Sequence, residues 1–129
     1  MRRCHPIAFL PLLALAAACQ DDGVACTEEF RMITPTVVDS TGAPVGDYSG
    51  RSILRATGDT LHQHFEGSLG PQGFVIADDL DFDKLHALGG TVDVTLWRAA
   101  GDSATGTYVI TADVCHVSLA SGPDTLVLR

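Results

Sequence analysis

His62-Gln63-His64 places two imidazoles two residues apart. On a strand, residues i and i+2 share a face. That spacing can chelate zinc or copper, and His86 or His116 could supply a third ligand. No C-x-x-C or E-x-x-H pattern reinforces the pair, so exposed strand histidines are the plainer reading. A second constellation is Asp79-Leu80-Asp81-Phe82-Asp83, which opens like a D-x-D-x-D calcium loop. An EF-hand loop also needs Gly at its sixth position and Glu at its twelfth. Lys84 and Gly90 stand there instead. The stretch from Asp78 to Asp83 therefore reads as a charged loop, with Leu80 and Phe82 as core anchors between solvated acids.

Nucleophilic chemistry has weaker support. Ser, His and Asp all occur, but no G-x-S-x-G turn and no glycine-rich phosphate loop does. Cys115-His116 pairs a thiol with an imidazole, yet strand neighbours point to opposite faces. Trp97 and Tyr108 suit a ligand platform or, more simply, a core and its rim. No catalytic residue and no cofactor is expected.

The elements that must position these groups are mostly strands. Helical spacing is scarce, while Thr, Val and Gly are frequent and turn residues punctuate short alternations. Residues 30–39 read as the first strand. Phe30, Met32, Thr34, Thr36 and Val38 share one face, and Ile33, Pro35 and Val37 the other. Pro35 has no amide proton to give, which implies an edge or a bulge. Further strands are expected over 50–57, 61–66, 74–77, 91–98, 106–117 and 124–128. Residues 78–88 read as one helical turn or a loop. On 91–98, Val92, Val94 and Leu96 face one way. On 106–117, Tyr108, Ile110, Ala112 and Val114 point inward, and Cys115 has the opposite parity. About seven strands in an antiparallel two-sheet β-sandwich are expected.

The N-terminus carries an address. Arg2 and Arg3 precede an apolar run of 12 residues, from Ile7 to Ala18, broken by Pro11. A membrane span needs about 20 residues, so this is a signal peptide by length and order. Ala16-Ala17-Ala18-Cys19 resembles the lipobox of bacterial lipoproteins, in which the cysteine receives diacylglycerol and becomes the first residue. The match departs at Ala16, where that family prefers leucine; Leu15 sits one place early. Ala16-x-Ala18 also suits ordinary signal peptidase. Residues 1–18 are thus expected to be a lipoprotein signal, 19–25 a lipidated cysteine and tether, and 26–129 one β domain. Gln20 lacks the aspartate that retains many lipoproteins at the inner membrane, which points to the outer membrane, facing periplasm or surface.

Four cysteines occur. Cys4 leaves with the signal and Cys19 takes lipid. Cys26 and Cys115 remain, an even pair in an exported chain, and are expected to form a disulfide. Loss of Arg2 and Arg3 would make the −8 charge of the full chain more negative still. Such a surface repels nucleic acid and excludes a nucleic-acid partner.

Thr36-Val37-Val38-Asp39-Ser40-Thr41-Gly42-Ala43-Pro44-Val45 resembles the V-x-D-x-x-G-x-P-V start of carboxypeptidase-regulatory-like domains. Gly46 fits as well, but Asp47 to Arg51 replaces the usual strand start. Tyr108 to Val117 and Gly122 to Leu128 look like the end of small exported lipoproteins that begin at a paired cysteine. The resemblance implies a transthyretin-like or immunoglobulin-like sandwich with no catalytic residues of its own. It implies an anchored binding or structural module, held at the membrane by lipid, with an envelope protein or carbohydrate as partner. The reading from another class is a periplasmic metal-binding protein using His62 and His64.

Overall fold

A computed structural model describes residues 25–67, 69 and 73–129. The fold is all-β. Among the described residues nine strands run in chain order: β1 (Met32–Ile33), β2 (Thr36–Asp39), β3 (Ser49–Leu54), β4 (Thr60–His64), β5 (Ala77–Asp78), β6 (Thr91–Trp97), β7 (Ser103–Ala112), β8 (Val117–Ser121) and β9 (Thr125–Leu128). A 3₁₀ turn (Asp79–Asp81) and helix α1 (Phe82–Leu88) lie between β5 and β6.

β4-β3-β6-β7-β8 form one antiparallel sheet. Alternation decides its buried face. Leu54 pairs with Val92, Ser52 with Val94 and Gly50 with Leu96. Val92 in turn faces Tyr108. All of these side chains are buried, as is Ile110 two residues on. Gly50 is needed there: a Cβ on it would stand 2.7 Å from the Phe74 ring. Its bare backbone lets the Phe74 ring approach the sheet closely.

The same face is covered by β2 and β9. They pair in parallel, Thr36 with Thr125 through Asp39 with Leu128. Val37, Leu126 and Leu128 point into the core. Arg129 and Ser103 exchange backbone hydrogen bonds, at 2.9 and 3.2 Å, which ties the end of β9 to β7. This pairing departs from a purely antiparallel sandwich. The antiparallel pair β1-β5 completes the strands.

The expected strand over 30–39 divides at Pro35. Ile33, Pro35 and Val37 are its buried face. Without an amide proton Pro35 cannot continue a ladder, so β1 goes to β5 and β2 to β9. The expected strand over 106–117 stops at Ala112. Asp113 Oδ1 accepts from the amides of Cys115 and His116, at 2.7 and 2.8 Å, and turns the chain. Val114, expected inward, is therefore 68% exposed on that turn. β8 follows as a separate strand. Of the expected strand over 74–77 only Ala77 is in one; Phe74 and Ile76 are buried outside any strand.

Candidate functional site

Asp78 ends β5 and begins the 3₁₀ turn. Its Oδ1 accepts from the Leu80 amide at 2.8 Å, and Asp81 Oδ2 accepts from the Asp78 amide at 3.1 Å. This is a reciprocal capping box. It reverses the expected sidedness of the loop. Asp78 and Asp81 are buried, while Leu80 is 82% exposed. Leu80 is not a core anchor, because the box turns the two carboxylates inward and leaves Leu80 on the outside. Phe82 stacks on His86, with ring centroids 5.4 Å apart.

The carboxylates turn toward β4. His62 Nε2 donates to Asp81 Oδ2 at 2.8 Å and lies 3.6 Å from Asp78 Oδ2. One ligand-type atom from each of His62, Asp78 and Asp81 falls within 4.8 Å of the others. The hydrogen bond to Asp81 raises the His62 pKa against the opposing effect of burial. Burial would raise Asp81, but His62 and the Asp78 amide outweigh it and hold this carboxyl low.

His64 does not join this group. Its Nε2 donates to the Gly67 carbonyl at 3.3 Å. A cleft of about 180 Å³ borders both histidines, Gly73 and Phe74. His86 Nδ1 reaches the Ala112 carbonyl at 3.5 Å. The two expected constellations thus meet through one member, His62, and the acidic loop rather than a second imidazole completes the group.

A second His–Asp contact lies beside the cysteines. Cys26 and Cys115 are joined by a disulfide with Cα atoms 5.4 Å apart. The residues that follow them meet as well. His116 Nδ1 donates to Asp79 Oδ2 at 2.8 Å, leaving Nε2 to accept from the Thr27 hydroxyl at 3.1 Å. Asp79 also accepts from the amides of Arg31 and Val117, both at 2.9 Å. Burial would raise the Asp79 carboxyl, but the two amides and the imidazole hold it low. The order hydroxyl, imidazole, carboxylate is that of a nucleophilic relay. Its place next to the bridge explains it as a latch: it fixes the N-terminal segment to the start of β8.

Tyr108 is buried under β9, and its hydroxyl has no partner among the described residues. Burial, with the Asp124 charge, pushes its pKa up to about 12. It is core, not a ligand platform. Trp97 is half-buried at the end of β6. Cys19, the expected lipid site, lies outside the described residues.

Fold and site together define an all-β domain closed by the Cys26–Cys115 disulfide, with a His–Asp–Asp group at its edge strand. Compared with known proteins, the chain matches no family model, no curated protein and no solved structure.

Proposed function

We propose that the chain is a lipid-anchored β domain of the bacterial cell envelope, serving as a non-catalytic binding or structural module. The observation that carries the reading is the Cys26–Cys115 bridge. Disulfides persist in oxidising compartments, and Cys26 lies a few residues beyond the apolar run that ends at Ala18. The bridge and the Thr27–His116–Asp79 latch both fasten the N-terminal segment to the sheet. That is where a tethered domain needs to be fixed. A two-layer sandwich of the transthyretin-like or immunoglobulin-like kind is the architecture that goes with this reading.

Cys19 is the lipid acceptor in this reading, and the acidic tether Gln20-Asp21-Asp22-Gly23 spaces the domain from an anionic surface. Burial of acyl chains contributes about 0.8 kcal/mol per CH₂, so two chains anchor where one is marginal. Outer-membrane sorting follows from the absence of aspartate after the cysteine. Metabolic labelling with a fatty-acid analogue tests the anchor. The wild type should take label and sediment with membranes; Cys19→Ala should take none and become soluble or stay uncut. A wild type that takes no label and washes out in buffer overturns the anchor.

A further inference from the structure

We propose that His62, Asp78 and Asp81 form a binding site for one divalent transition-metal cation, with zinc as the best fit. The proposal does not depend on the lipid anchor. Nor is it the His62–His64 chelate, because His64 is engaged with Gly67.

Charge is the first argument. Two carboxylates and a neutral imidazole carry a formal charge that a divalent ion balances. Both carboxylate side chains are only 9% exposed, and the imidazole is 26% exposed. Two buried anions side by side are costly unless a cation faces them. Asp81 is answered by the imidazole and by the Asp78 amide. The Asp78 carboxylate accepts from the Leu80 and Asp81 amides, and its Oδ2 faces His62 Nε2 at 3.6 Å, within ion-pair range but beyond hydrogen-bond length. A nine-tenths-buried carboxylate oxygen is therefore aimed at the group, with the imidazole too far for a hydrogen bond.

Spacing is the second argument. Zinc bonds of about 2.0–2.1 Å in tetrahedral geometry set ligand atoms roughly 3.3 Å apart. The two contacts of His62 Nε2, at 2.8 and 3.6 Å, bracket that value. For these two contacts an ion needs shifts of about half an ångström or less. It replaces the Nε2 proton, which moves to Nδ1 or to solvent. The capping box holds both carboxylates beforehand, since each accepts a backbone amide through the turn.

Ligand type is the third. One imidazole nitrogen with two carboxylate oxygens suits zinc and its neighbours. Calcium takes six to eight oxygens, which this group does not offer. Three protein ligands leave room for water or for a group presented by a partner.

The test uses the processed protein, untagged and stripped with chelator, titrated with zinc and separately with calcium by calorimetry. One equivalent of zinc should bind, and zinc should raise the melting temperature. Calcium at millimolar concentration should do neither. His62→Ala should weaken zinc binding at least about 10-fold, the loss that even outer-shell partners cause in known sites. Asp78→Asn should weaken it similarly. His64→Ala should change affinity less than about twofold. Far-UV circular dichroism separates loss of binding from loss of fold. No binding by folded wild type, or equal binding by folded His62→Ala, overturns the proposal.

Discussion

Asp79 and His116, at the two ends of the middle of the chain, share a hydrogen bond of 2.8 Å. Neither side chain is more than 12% exposed. Asp79 also holds the Arg31 and Val117 amides, so one carboxylate joins three segments. Asp79→Ala leaves those donors unanswered. It should lower stability by about 3 kcal/mol, as losses of buried charge-assisted hydrogen bonds do. Urea denaturation measures this; a change below about 1 kcal/mol would show the latch to be ornamental.

The bridge should matter as much. Cys26 and Cys115 are 89 residues apart in sequence. Chain-entropy arguments put the closure of such a loop at about 4.6 kcal/mol, and measured losses run at about 2–5. A Cys26→Ser, Cys115→Ser double variant should fall in that range by urea denaturation. Reductant should lower the wild type to the same midpoint and leave the variant unmoved.

Acid should unfold the protein along a predictable limb. Hydrogen bonds from the Cys115 and His116 amides hold Asp113 below its ordinary value of 3.8. The Thr41 side chain and the Thr41 and Ala43 amides do the same for Asp39. A depressed folded pKa means the stabilisation is complete above the unfolded value and is lost as pH falls through the folded one. Stability should therefore be level from neutral pH to about 5 on account of these groups and fall below about 4. Asp113→Asn keeps an acceptor oxygen and removes the titration. Its acid limb should be shallower than that of the wild type in pH-dependent denaturation, with an identical slope counting against the assignment.

Tyr108→Phe deletes a buried hydroxyl that has no partner among the described residues. Removal of such a group is neutral or stabilising by up to about 1 kcal/mol. Its neighbour behaves oppositely. Gly122 has φ 151°, and a Cβ there would lie 2.3 Å from Tyr108 Cδ1. Gly122→Ala should cost about 1–3 kcal/mol. Thermal melts should fall for Gly122→Ala and hold or rise for Tyr108→Phe; a large fall for Tyr108→Phe would mean the hydroxyl is satisfied.

Much of the sheet was legible because alternation is local. Val92, Val94 and Leu96 share the buried face that their spacing implies, and so do Tyr108 and Ile110. What alternation could not show was where a strand stops. Asp113 ends β7 through side-chain hydrogen bonds to the next amides, and this has no periodic signature. β8 was hidden because Val117–Ser121 has one buried residue in five. The parallel β2-β9 pair joins distant segments whose own patterns say nothing of partner or direction. The candidate site was half legible. His62 and the acidic loop each drew notice alone, but nothing in the spacing joined them. Asp78 and Asp81, three apart before a short helical run, carry the D-x-x-D signature of a capping box, which would have turned both acids to one side.

Strand direction has a mechanical consequence. Tension applied at Cys26 crosses directly to Cys115 through the sulfur bond and bypasses everything between them. Only the stretch from Cys115 onward can then lengthen. Its last strand runs parallel to β2, in register over four pairs. A pull on Arg129 away from that end drags β9 along its own axis, so its hydrogen bonds are loaded together in shear. A force across that axis would instead open the same bonds one at a time. The stretch beyond Cys115 should thus resist a pull along β9 better than one across it.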